Sequence, residues 1–164
     1  MNRLDAIRTA VLIAFVSLSS YACGVYFTGV FHTASASTGA LWAVISGNVV
    51  LQKTRKETLS SAWLQILGTL VGAIVSAAYL ATLPFTVIGM AAAVFATVVL
   101  CHVARIPDHA RMAALAVSVV MVVSSLHPTL HPALNSALRM AEACIGTAVA
   151  ALAVLVWPEP DEVP

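Results

Sequence analysis

Six long apolar runs separated by short polar or proline-bearing breaks set the pattern of this chain. The runs predict helices at approximately 6-29, 38-52, 55-80, 85-104, 109-126 and 133-157. The third is the clearest: from Leu59 to Leu80 it carries no charge. At about 1.5 Å of rise per residue it crosses a hydrocarbon layer of roughly 30 Å. Thr54 followed by Glu57 has the spacing of a capping box and predicts its start. Phe31 to Gly39 is rich in Ser, Thr and Gly and reads as a loop. The second run is short, with Gly47-Asn48 in its middle, so a tilted, bent or partly unwound helix is expected there. Pro107 breaks the chain between the fourth and fifth runs, where Asp108 is placed to cap the next helix. Two prolines in His127 to Pro132 make that stretch a loop.

Composition turns these runs into membrane helices. Of 164 residues, 60% are hydrophobic and 9% charged, against roughly 25% charged in a soluble domain. The expected fold class is an all-α integral membrane protein, a single bundle of six transmembrane helices with no soluble domain. A net charge of +1 offers no basic face for nucleic acid. Arg3, Arg8, Lys53, Arg55, Lys56, Arg105 and Arg111 fall on one side of such a bundle and only Arg139 on the other half. The positive-inside rule then predicts an inner-membrane protein with both termini in the cytoplasm. Trp42 and Trp157 fall near the expected interfaces, where indole rings anchor. The basic start and Ala22-Cys23 imitate a lipoprotein signal, but the apolar run continues through Phe27, so it is read as the first membrane helix. Cys23, Cys101 and Cys144 lie in or beside apolar runs and read as buried thiols. No cofactor or metal is expected: His127 and His131 are not on helical backbone, and no cysteine pair has ligand spacing.

Gly68, Gly72 and Ser76 share one helix face and are expected to admit a neighbouring helix to backbone contact. Leu67-Gly68-Thr69 echoes Ile145-Gly146-Thr147 three crossings later, in the opposite direction, so a three-plus-three inverted repeat is expected, with packing also at Thr69, Gly146 and Thr147. Candidate chemistry is sparse. Arg139 and Glu142, at i and i+3, are the only charges between His131 and Trp157. Two readings are open: Arg139 snorkels to the outer surface and pairs with Glu142, or it holds an anion that displaces Glu142. Asn48 and Gln65 are further candidate substrate contacts, since an amide at membrane depth needs a partner. Lys53, Arg55, Lys56, Arg105 and Arg111 either set topology or line the inner mouth of an anion path. His32, His127 and His131 fall in outer loops and are the residues whose ordinary titration range is closest to neutrality. No phosphate loop, nucleophile elbow or carboxylate cluster is present, which argues against an enzyme.

Trp42-Ala43 with Val49-Val50-Leu51-Gln52, then Ile66 to Gly72, then Arg139, Glu142 and Gly146 ahead of Trp157-Pro158, resemble the membrane half of the fusaric acid resistance and aromatic acid exporter family, and more distantly the plant aluminium-activated malate channels. The resemblance implies a six-helix unit that moves small organic, often aromatic, carboxylates outward. Gln65 stands where the family often has arginine, which weakens a two-arginine site. Family exporters join two such units through a cytoplasmic domain. One unit alone implies a homodimer in the bilayer, with a pathway at or near its interface. An anion channel, or a scaffold subunit that moves nothing, is the alternative.

Overall fold

The computed structural model describes residues 3–157, side chains from residue 6 onward; the Pro158 to Pro164 end and the terminal charges before Ala6 lie outside the described side chains. Six α-helices run through it: α1 (Arg3–Phe31), α2 (Ala36–Val50), α3 (Arg55–Thr82), α4 (Val87–Val103), α5 (Ala110–Leu126) and α6 (Pro132–Val156). Two 3-10 turns, Thr33–Ser35 and Pro107–His109, lead into α2 and α5. Four segments are long and apolar enough to cross a membrane: Ala6–Phe31, Arg55–Thr82, Pro107–Leu126 and Pro132–Val156. The protein is an all-α membrane bundle. With 15 and 17 residues, α2 and α4 reach only about 22 and 26 Å.

Local chemistry explains the boundaries. Thr54 accepts a hydrogen bond from the Glu57 backbone N–H at 3.2 Å, and Thr86 does the same for Gly89 at 2.9 Å. α6 starts with Pro132 in its first turn, where a missing N–H costs nothing, and the His131 ring accepts from the Ala133 backbone N–H. α4 closes with a Schellman motif: Ile106 N–H donates to the Cys101 carbonyl at 2.9 Å and Arg105 N–H to that of His102 at 3.1 Å. Arg105 pays for this turn with φ 60. Glycine carries no Cβ penalty there, so Arg105→Gly is expected to raise stability by about 1 kcal/mol, read as the thermal midpoint in detergent.

Several sequence expectations are corrected. The loop is confined to His32–Ser35, because Ala36 to Gly39 already form the first turn of α2. α2 is helical through Gly47-Asn48; a Cβ on Gly47 would stand 2.9 Å from the Ser20 hydroxyl and 3.0 Å from the Gly146 carbonyl, so close packing and not unwinding accounts for that glycine. Asp108 lies within its 3-10 turn, and the residue preceding α5, His109, makes no side-chain cap bond. Cys101 is buried, but Cys23 is exposed on the outer wall of the bundle. Trp42 is only 3% exposed and anchors no interface.

The core is built around α6, which packs on α2 and α3 most extensively and also on α1 and α5. Exchanging the first three helices for the last three maps the main helix pairs onto one another. α1 on α2 corresponds to α4 on α5, α2 on α6 to α5 on α3, and α3 on α6 to itself. The two 3-10 turns occupy equivalent connections. Glycines follow the same scheme: Gly68 and Gly72 of α3 abut Met112, Ala113 and Ala116 of α5, while Gly146 of α6 abuts Ala43 and Gly47 of α2. These corresponding pairs are the ones the expected three-plus-three repeat would bring together.

Candidate functional site

The interior of the bundle holds buried polar and charged side chains, densest on α6. Arg139 and Glu142 are both fully buried on α6, with Arg139 Nη2 2.8 Å from Glu142 Oε1. Thr28, in the last turn of α1, donates its hydroxyl to the same Oε1 at 2.5 Å. Gly39, in the first turn of α2, faces that contact: a Cβ there would collide with Glu142 Oε1 and Thr28 Oγ1. Trp42, one turn further along α2, donates its indole N–H to the Arg139 carbonyl at 3.0 Å. Asn135, one turn before Arg139, donates to the Val120 carbonyl of α5 at 2.9 Å. The ion pair is therefore clasped by α1 and α2 beside their His32–Ser35 connection, with α5 braced behind it.

Snorkelling is excluded by this geometry, because the guanidinium has no exposed surface. Pairing with Glu142 does occur, but it uses little of what an arginine offers. Arg139 Nε and Nη1 and Glu142 Oε2 have no hydrogen-bond partner, and the 2.8 Å Nη2 contact lacks hydrogen-bond alignment. Arginine presents five N–H donors in a planar fork that matches a carboxylate. A buried guanidinium used this sparingly retains capacity for a second oxyanion.

Further hydroxyls are buried in the bundle. Ser76 and Thr97 are buried and turn back to carbonyls on their own helices at 2.7 Å, the usual solution in apolar surroundings. Ser20, Thr69, Ser136 and Thr147 are equally buried yet leave their oxygens unpartnered. Gln65 donates Nε2 to Ser46 Oγ at 3.1 Å across α3 and α2, leaving Oε1 unpartnered. Thr69 stands one turn beyond Gln65 on α3, and Thr147 follows Gly146 on α6.

The remaining candidates lie elsewhere. Asn48 donates to Ser17 Oγ at 2.9 Å and ties α2 to α1. Arg55 donates to the Trp157 carbonyl at 3.0 Å, joining the start of α3 to the end of α6. Lys53 and Lys56 flank it, while Arg105 and Arg111 bracket the α4–α5 connection, which leads into α5 beside Gly68, well along α3 from Arg55. At the other end His32 and His127 meet edge to face with ring centroids 5.6 Å apart. An apolar groove of about 390 Å³ between α1 and α6, lined by Phe15, Leu152, Val156 and Trp157 among others, is separate from the ion pair. Thr28, Gly39 and Trp42 escape sequence reasoning as site residues. Their partners are about a hundred positions away, and only the glycine in an otherwise Ser/Thr-rich helix start hints at close approach.

With the buried pair and its clasp in view, comparison with known proteins gives one decisive result: the family profile described as fusaric acid resistance protein-like matches residues 22–153. The chain belongs to this family. No curated protein and no solved structure matched it. The matched span runs from the last third of α1 to the last turn of α6 and so includes Thr28, Gly39, Trp42, Arg139 and Glu142. Membership makes this fusaric acid resistance protein-like bundle a multi-pass membrane transporter of a family that is not enzymatic.

Proposed function

We propose that the protein carries small organic anions, aromatic carboxylates foremost, out of the cell, with Arg139 as the anion-binding residue and Glu142 as the group that occupies it between cycles. The observation that supports this reading most is a fully buried guanidinium inside a membrane bundle, none of whose three nitrogens has an aligned hydrogen-bond partner and only one of which touches Glu142. Burying such a charge costs several kcal/mol, a cost tolerated where the charge has work to do. Fusaric acid is itself an aromatic carboxylic acid, so the family's description is consistent with this ligand class. Gln65 with Ser46, and the hydroxyls of Thr69 and Thr147, offer neutral polar contacts further along the bundle. Gly68 and Gly72 bring α3 close to α5, and Gly146 brings α6 close to α2. The basic residues Lys53, Arg55, Lys56, Arg105 and Arg111 fall in the connections on one side of the membrane, which by the positive-inside rule is the cytoplasmic side of an inner membrane, with both termini inside. Two copies form the working unit.

Proteoliposome flux of 4-hydroxybenzoate and benzenesulfonate tests the proposal, with bare liposomes subtracted. Wild type is expected to show saturable flux that falls at least about tenfold in Arg139→Lys, because an ammonium cannot replace the bidentate fork. Equal flux in both removes Arg139 from the mechanism. A stoichiometric partner on co-purification from native membrane, with no flux of either probe, favours a scaffold.

A further inference from the structure

Resting on that reading, we infer that Glu142 is a proton site and that each anion bound at Arg139 travels with one proton in the same direction. The ground is charge balance in a sealed place. Arg139 and Glu142 are each without exposed surface and together carry no net charge. An anion that takes the guanidinium leaves the Glu142 carboxylate with only the Thr28 hydroxyl, its second oxygen having no partner. An unpaired buried carboxylate is expelled to water or neutralised by a proton. Expulsion is closed off: Gly39 and Thr28 hold the carboxylate against α1 and α2.

No other cation is available to replace Arg139. α2 carries no charged residue, and α1 beyond Arg8, α3 beyond Glu57 and α5 beyond Arg111 carry none. The remaining titratable groups on these helices stand apart: Tyr21, Cys23 and Tyr26 of α1 are exposed, Tyr79 of α3 turns its hydroxyl to Gly89 of α4, and Cys144, on α6 itself, is half-buried. His32, in the turn that follows α1, is engaged with Ser35 and His127.

The balance is then complete. The arriving anion brings one negative charge to Arg139, Glu142 takes one proton from the same aqueous side, and the site remains neutral throughout the crossing. The transported sum is the neutral acid, and the direction follows the combined gradients of anion and proton. Benzenesulfonate makes the point sharply, since a sulfonate cannot carry its own proton and the only seat for one is the protein.

The test uses the full chain in proteoliposomes, reading the accumulation ratio of whichever probe shows Arg139-dependent flux. A valinomycin-clamped tenfold potassium gradient is expected to leave the wild-type ratio unchanged, whereas a pH difference of one unit shifts it by about tenfold. Glu142→Gln, which imitates the protonated state permanently, is expected to reverse this: about tenfold with the potassium gradient and no response to pH. Glu142→Asp keeps a carboxyl and is expected to behave as wild type. Wild-type flux that follows the potassium gradient and ignores pH overturns proton coupling while leaving anion transport intact. Wild type and an active Glu142→Gln that both ignore potential show that the proton sits elsewhere. Absence of Arg139-dependent flux overturns the transport proposal itself. The wild-type measurement stands alone if Glu142→Gln does not fold.

Discussion

Replacing Arg139 with alanine while Glu142 remains is expected to destabilise the bundle by about 3 to 5 kcal/mol, the cost of leaving one member of a buried ion pair uncompensated. The pair is fully buried, and the glutamate loses the cation at 2.8 Å while keeping only the Thr28 hydroxyl. Glu142→Ala alone is expected to be as damaging, because the guanidinium already has few partners. The double variant Arg139→Gln/Glu142→Gln removes both charges, with an isosteric change at 142 and a shorter amide at 139, and is expected to melt closer to wild type than either single alanine variant. Neutral replacement of a buried pair is often tolerated or stabilising. A double-mutant cycle that closes this double variant with single Arg139→Gln and Glu142→Gln proteins, read as unfolding free energies in detergent, measures the coupling, expected at about 2 kcal/mol or more. Additive losses would show that the two side chains do not depend on one another. The double variant also separates fold from function, since it is expected to be stable and to transport no anion.

Much of this architecture was written in local pattern. The helices follow from uncharged runs, and the capped start of α3 from Thr54 and its spacing to Glu57, because a cap is a contact within one turn. Arg139 and Glu142 were legible as a pair for the same reason. What surrounds them was not. Thr28 meets Glu142 across 114 positions and Trp42 meets Arg139 across 97, and no periodicity reports such distances. Trp42 near a helix end looked like an interfacial anchor, yet α6 passes close enough to bury it. Ser, Thr and Gly at 37 to 39 looked like turn chemistry, yet Gly39 serves a carboxylate on another helix.

The internal echo was legible at its glycines and misleading about the site. Aligning Gly68 with Gly146 sets Ser61 and Leu64 opposite Arg139 and Glu142, so only the second half carries the charges. The corresponding helix pairs frame the interior from both halves, and only the second half supplies its charges. α1 extends along α6, beside that chemistry, while the equivalent α4 touches α3 only lightly. Packing thus departs from symmetry where charge does.

Gly146→Ala is expected to be the most damaging single-methyl addition in the bundle. The new Cβ would strike the Ala43 carbonyl oxygen and come within 2.9 Å of Gly47 N. Both are backbone atoms, so α2 has no side chain to rotate away and must shift as a whole. That shift would pull at Gly39 and Trp42, which hold Glu142 and the Arg139 carbonyl. Overpacking against side chains costs about 1 to 3 kcal/mol, and a backbone obstacle belongs at or above the upper end. Gly29→Ala is the control: its Cβ would meet only the Ala36 Cβ at 4.0 Å, ordinary contact distance. Helix propensity then favours alanine by up to about 1 kcal/mol, so a neutral or slightly raised melting midpoint is expected. Flux should follow the same division, lost in Gly146→Ala and retained in Gly29→Ala. A Gly146→Ala protein with wild-type melting and flux would mean that α2 and α6 do not approach to backbone contact in the membrane, and the clasp around Arg139 would lose its basis.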